Sequence, residues 1–276
     1  MCMNRITSSA LRLFKFYSFL FLVLASLSVY ATDFQSQNVL VVDDQSGEII
    51  AEKNADEQTS IASLTKLMTA MVIIDSKPDF EQLIRIEESD VDHLKHSRSK
   101  IPVGEEFSRL ELLQLALMSS DNRAASALAR TYPGGLEAFK NAVNWKLQTL
   151  GMRKTTIDEP TGLSSQNTST ASDLMKMAIA ASKYELIKKI TTETSDEFDV
   201  KGRTKVFHNT NKLIGKSGWD VLMSKTGFTN EAGNCLIMKL KLAKRTATLV
   251  LLNAKAKSHR IHDAMKIRKM LQRDPI

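Results

Sequence analysis

Residues 60–74 read SIASLTKLMTAMVII. Leu64, Leu67, Met68, Met71 and Val72 recur at helical spacing, so the stretch predicts an amphipathic helix entering a core. Lys66 stands in the middle of it, where an ammonium must be paired or give up its proton. Ser63 lies one helical turn earlier. At the mouth of a helix the backbone N–H groups are unsatisfied and the dipole is positive, so an oxyanion formed at Ser63 would meet a fixed donor. An amine on the same face, in a dry cleft beside other cations, loses proton affinity and can take the serine's proton.

The 276 residues are 43% hydrophobic and 25% charged, an ordinary globular composition with room for one large core or two small ones. Disordered, collagenous and repeat architectures are excluded. The N-terminus differs in kind: Arg5, Arg12 and Lys15 without an acid, then the apolar run FYSFLFLVLASLSVYA from Phe16 to Ala31. These are the parts of a secretory signal peptide, with cleavage expected after Ala31. A retained anchor is the alternative, although the run is shorter than the ~20 residues of a spanning helix. Without that segment Cys235 is the lone cysteine, an inert thiol in the apolar run NCLIM.

Charge is uneven. The net +7 divides into +3 over residues 1–31, −5 over 32–238 and +9 over 239–276. The basic tail reads as a helix with Ile261, Met265, Ile267 and Leu271 turned inward, able to make a weak contact with an anionic surface. No aromatic residues interleave the basic ones, so nucleic acid is not an expected partner.

Two β-rich runs flank Asp44-Gln45-Ser46-Gly47, a hairpin with its turn chemistry visible. Helical periodicity dominates from about Lys77 to Val200, with Ser108 and Thr170 as N-caps and Gly151 as a stop. Strands return in VLMSKTGF, NCLIMKLKLA and RTATLVLLNA. Strands at both ends of a helical middle predict an α+β fold. One antiparallel sheet comes from about 38–76 and 202–276, and an all-helical subdomain over about 77–201 is inserted within a single 32–276 domain. The cleft between them is the natural site.

Ser63-x-x-Lys66 alone is weak, since Ser97–Lys100 repeats it in the polar stretch HLKHSRSKIP, read as a surface loop. Two further elements could meet the first copy. Ser120-Asp121-Asn122 falls between two helices, where a hydroxyl and an amide can reach a cleft. Lys225-Thr226-Gly227 lies in a strand, where the glycine permits close approach of a substrate backbone. Ser36-Gln37-Asn38, Ser165-Gln166-Asn167 and Lys216-Ser217-Gly218 match the same patterns but lie at the mature N-terminus, in a polar loop and in a turn.

With all three motifs in order, the chain resembles the low-molecular-mass penicillin-binding proteins, the active-site-serine D,D-peptidases of peptidoglycan. The likeness extends over residues 38–270. Through LLQLALMSSDNRAASALARTYPGG, EPTGLSSQNTSTASDL, NTNKLI and SKTGFTNEAGNCLIM it is similar to the penicillin-binding protein 7 type, a D-alanyl-D-alanine endopeptidase. The resemblance implies a five-stranded antiparallel sheet flanked by helices, a periplasmic location and no cofactor or metal. It implies Ser63 as acylated nucleophile, Lys66 as its base and Ser120 as proton relay. It further implies Asn122 on the substrate amide, Lys225 as positive field, Thr226 on the substrate carboxylate, and the Ser63 and Phe228 N–H groups as oxyanion hole beside Gly227. The partners implied are stem peptides and their cross-links, with β-lactams as covalent inhibitors.

Alternatives differ in the residues they need. A β-lactamase needs a deacylating carboxylate; Glu159 in EPTGLS lacks the expected Leu-Asn partners and is read as structural. A metallopeptidase would need more than the i, i+3 pairs His93/His96 and His259/His262. A sensor module without turnover would have a broken motif. A carboxypeptidase shares every catalytic group; the chain's end at Ile276, with no second β-rich domain, favours the endopeptidase.

Overall fold

A computed structural model describes residues 33–242 and 245–273; the expected signal segment lies outside them. In chain order the strands are β1 (Asn38–Asp43), β2 (Ile49–Lys53), β3 (Thr59–Ser60), β4 (Leu83–Arg85), β5 (Glu106–Ser108), β6 (Thr168–Ser169), β7 (Ser195–Asp199), β8 (Thr204–His208), β9 (Asp220–Thr229), β10 (Gly233–Leu242) and β11 (Arg245–Ala254). The helices are α1 (Thr65–Asp75), α2 (Arg109–Leu117), α3 (Asn122–Arg130), α4 (Gly135–Thr149), α5 (Ala171–Ala181), α6 (Glu185–Thr192) and α7 (Lys257–Arg273).

The main sheet has the order β2-β1-β11-β10-β9 and is antiparallel throughout. Its central strands are buried on both faces because alternate side chains enter two different cores. Leu40, Ile237 and Val250 join the helices of the insert, while Val39, Val41, Leu249 and Leu251 pack with Ala264, Ile267 and Leu271 of α7. The expected hairpin joins β1 to β2: the Asp43 carboxylate accepts from the Gln45 and Ser46 N–H groups, and Gly47 supplies φ +74°. Those turn hydrogen bonds, with Arg245 beside them, lower the Asp43 carboxyl to about 2.

The insert starts and stops its helices as its sequence predicts. Ser108 and Glu111 form a capping box on α2, the Thr170 hydroxyl accepts from the Asp173 N–H, and Gly151 follows α4 at φ +64°. The insert, expected to be all-helical over about 77–201, also carries short strands: β4 pairs with β5, and β7 pairs with β8, which lies just past residue 201. Two further expectations change. Helix α1 is buried on every side from Thr65 to Ile73, not along one stripe, because four helices of the insert, α2 to α5, pack around it. In α7 Met265 faces solvent, and the buried stripe is Arg260, Ala264, Ile267 and Leu271.

Candidate active site

The turn that carries Ser63 is held under constraint. Helix α1 begins only at Thr65; Ser63 sits two residues earlier, in a 3-10 turn over Ala62–Leu64. Ala62 has φ +46°, a left-handed conformation that a non-glycine residue holds only where its surroundings dictate it. Those surroundings are visible. Thr65 donates its hydroxyl to the Ala62 carbonyl at 2.8 Å, and Ile61 N–H donates to the Asn167 carbonyl at 3.0 Å. Two glycines press on the turn: a Cβ on Gly162 would lie 1.9 Å from the Ala62 oxygen, and one on Gly227 would lie 3.2 Å from the Ser63 nitrogen. The room at Gly227, expected for a substrate backbone, is therefore used by the Ser63 turn itself.

Lys66 is 1% exposed, and its Nζ reaches three oxygens: Ser63 Oγ at 3.0 Å, Asn122 Oδ1 at 2.6 Å and the Thr161 carbonyl at 2.7 Å. Burial pushes its pKa down to about 8, against the opposing pull of Glu159, Asp121 and Asp92. A neutral amine that donates its two N–H bonds to Asn122 and Thr161 turns its lone pair toward the Ser63 hydroxyl. Lys225, equally buried, donates to Ser120 Oγ at 2.9 Å and to the Thr226 carbonyl at 3.0 Å. Its pKa falls well below that of a free lysine because of burial first and the nearby Lys66 and Arg260 second. Ser120 has φ +63°, ahead of α3, whose N-cap is Asp121.

Residues dismissed as decoys support this set. Ser97, from the second S-x-x-K copy, accepts from Asn122 Nδ2 at 2.8 Å, while its own N–H donates to Asp92 at 2.8 Å. Ser99 donates to Asp121 at 2.7 Å. The loop over residues 92–101 is thus exposed on one side and bonded to the Ser120–Asn122 motif on the other, and Lys95 pairs with Glu231 in the β9–β10 turn. Asn167, from another decoy, is fully buried and donates to the Glu159 carbonyl and to Thr65 Oγ1. Glu159 accepts from the N–H groups of Thr161, Gly162 and Leu163, which makes it the organiser of the loop that offers the Thr161 carbonyl to Lys66.

Ser63, Ser120, Asn122, Thr226, Gly227 and Phe228 line one cleft of about 400 Å³, with the Phe228 ring exposed at its rim. Four more residues enter it that sequence reasoning passed over: Thr210, Asn234, Lys257 and Arg260. Arg260 had a signal, since it shares the stripe of Ala264, Ile267 and Leu271, and an arginine on a buried stripe needs a reason. Its Nη1 donates to the Cys235 carbonyl at 2.9 Å. Cys235 itself is buried, with its thiol pushed up to about 11 by burial. The cleft thus brings together a serine hydroxyl beside a buried lysine, a second hydroxyl–lysine pair, and the cations Lys257 and Arg260 in its lining.

Comparison with known proteins agrees with that chemistry. Residues 25–256 match the family described as D-alanyl-D-alanine carboxypeptidase. The chain is 42% identical over 239 residues to a D-alanyl-D-alanine endopeptidase of Pseudomonas aeruginosa, covering 86% of this chain and 77% of the relative. It is 38% identical over 250 residues to a D-alanyl-D-alanine endopeptidase of Escherichia coli, covering 90% and 81%. The crystal structure of the Streptomyces K15 DD-transpeptidase superposes with a TM-score of 0.80 at 25% identity, over 87% of this chain and 97% of that one. A five-stranded antiparallel sheet with a helical insert, an apposed serine and lysine, and likeness over most of its length lead to one assignment: the chain belongs to the D-alanyl-D-alanine carboxypeptidase family of serine peptidases.

Proposed function

We propose that the chain hydrolyses peptidoglycan cross-links as a D,D-endopeptidase, through an acyl-enzyme on Ser63, and is acylated by penicillin at the same atom. The observation that carries the proposal is Lys66 Nζ, 3.0 Å from Ser63 Oγ with two carbonyl-type oxygens taking its other contacts. Lys66 takes the Ser63 proton as Oγ attacks the carbonyl carbon of the scissile D-alanyl amide. The Ser63 and Phe228 N–H groups receive the oxyanion. The C–N bond then breaks, and a proton passes through the Ser120 hydroxyl, held by Lys225, to the leaving amine. Water cleaves the ester and restores Ser63.

Thr226 and Arg260 recognise the carboxylate beside the scissile amide, and Asn122, with Gly227 and Phe228 across the cleft, flanks the acyl side. Both a terminal D-Ala and the D-centre of a cross-linked diaminopimelate carry such a carboxylate, so the site serves either leaving group; likeness to two endopeptidases favours the cross-link. The chain would act in the periplasm after loss of residues 1–31, whose basic start and apolar run support export. Contact of α7 with an anionic surface would use Lys257 and Lys269, with Lys255 just before the helix, all exposed; Lys266 and Arg268 already stack on Phe34 and Trp219.

Purified cross-linked muropeptide dimers test the substrate: conversion to monomers is expected, and dimers left intact while pentapeptides lose D-Ala would make the chain a carboxypeptidase. Labelled penicillin tests the residues. Ser63→Ala is expected to abolish labelling and Lys66→Ala to remove acylation while leaving the fold; undiminished labelling of either would overturn its assignment.

A further inference from the structure

Just after β8 the sequence Asn209-Thr210-Asn211 places a threonine between two buried asparagines. Buried amides are costly unless their hydrogen bonds are made, and these are made on both sides. Asn209 Nδ2 donates to the carbonyls of Thr191 at 3.1 Å and Glu193 at 2.9 Å, and its Oδ1 accepts from the Asn211 N–H. Asn211 Nδ2 donates to Ser224 Oγ at 2.7 Å, beside Lys225, and its Oδ1 accepts from the Leu213 N–H. Thr210 N–H itself donates to the Met118 carbonyl at 3.1 Å, next to the Ser120 motif. The segment is tied to α6, to β9 and to the end of α2, and what it presents to the cleft is the Thr210 side chain.

That hydroxyl stands 2.6 Å from the Thr226 hydroxyl, which donates to it. A hydroxyl has one proton and two lone pairs. Thr226 cannot give its proton to Thr210 and to a substrate carboxylate at once.

We propose that Thr210 is a positioning residue for carboxylate recognition: when Thr226 turns its proton to the carboxylate, Thr210 reverses and donates to the vacated Thr226 lone pair. The inference rests on the reading of Thr226 given under Proposed function. The result is a chain of donors, Thr210 to Thr226 to carboxylate, in which each bond polarises the next and the last is charge-assisted. No proton changes owner; two hydroxyls rotate. An ester in place of the carboxylate accepts only a neutral hydrogen bond, so it gains less from the chain.

Acylation rates by benzylpenicillin and by its methyl ester read this difference on the intact protein. Thr210→Val is expected to slow the free acid about tenfold and the ester about twofold or less, with Thr210→Ser restoring the free-acid rate. Equal slowing of both ligands, no slowing, or failure of the serine to restore would overturn the proposal. Should Thr210→Val not fold, as read by thermal unfolding, Thr210→Ala makes the same comparison. Thr226→Val separates the two levels. If it loses the acid-over-ester preference while Thr210→Val keeps it, the Thr210 inference alone fails; if neither it nor the wild type distinguishes the ligands, the carboxylate reading fails with it.

Discussion

At the scale of single residues, the site turns on proton affinity and on space. With the Lys66 pKa lowered to about 8, the amine is mostly protonated at neutral pH and free to act as base above it. Acylation by penicillin is therefore expected to rise with pH through about 8 and level off above, measured as the second-order labelling rate. Lys66→Arg, a cation that does not release its proton, should abolish that rise and slow labelling by at least about a hundredfold. The same shift enters stability with a definite sign. Between about 8 and the usual lysine value of 10.5, the unfolded chain holds a proton that folded Lys66 has released. Stability from this group therefore increases as pH rises through that window. Space is the other constraint. Gly162→Ala places a methyl against the Ala62 oxygen at a φ of +85°, and should cost roughly 3 kcal/mol in urea unfolding and displace Ser63. A Cβ on Gly227 meets its neighbours at 3.1–3.2 Å, so Gly227→Ala should be milder on the same two measurements.

At the scale of elements, the loop over residues 92–101 does what its polarity conceals. Asn122 uses both ends of its amide, Oδ1 for Lys66 and Nδ2 for Ser97, so the orientation of the group nearest the base depends on a hydroxyl from a largely exposed loop. Ser97→Ala leaves that Nδ2 without its partner, at a cost of about 1 kcal/mol in amide orientation. Acylation should slow about fivefold with the unfolding midpoint nearly unchanged; an unchanged labelling rate would mean that Lys66 alone holds Asn122. The Lys95–Glu231 pair, exposed on both sides, joins the loop to the β9–β10 turn, where solvent screening leaves it little weight in stability. The Glu159 loop also meets Lys66, through the Thr161 carbonyl, and the Glu159 carboxylate holds that loop by accepting four hydrogen bonds from Thr161, Gly162 and Leu163.

At the scale of the whole molecule, the two ends of the described chain close one sheet, with β1 between β2 and β11 in the register Asn38 to Leu252. The closure is fastened at both surfaces: Arg245 bonds Asp43, and the buried Asp263 carboxylate of α7 accepts from the N–H groups of Gln35 and Ser36 at 3.0 and 2.7 Å. Asp263→Ala should lower stability by about 2 kcal/mol in urea unfolding, as expected for charge-assisted bonds inside a protein. Penicillin labelling at 25 °C should stay as it is, because Asp263 bonds the segment before β1 and does not itself line the cleft, which α7 enters through Lys257 and Arg260.

Sequence alone determined whatever is local in cause. The β1–β2 turn follows from Asp43 to Gly47, the starts of α2 and α5 from Ser108 and Thr170, and the stop of α4 from Gly151, because capping and turn chemistry involve neighbours in the chain. It also determined that Ser63 and Lys66 share a face, since three residues of helical geometry fix that. Only tertiary structure decided what those groups touch. Thr210 and Arg260 reach the cleft, and Ser97 and the Thr161 carbonyl reach Asn122 and Lys66, from segments far apart in sequence, and no spacing rule connects residues joined through a sheet and a helical insert. Tertiary structure likewise decided that Gly227 makes room for the Ser63 turn, and that a serine copy dismissed for its polarity holds Asn122 in place. Hydrogen bonds between distant segments depend on which walls the packing brings together, and that is a property of the folded chain rather than of any stretch within it.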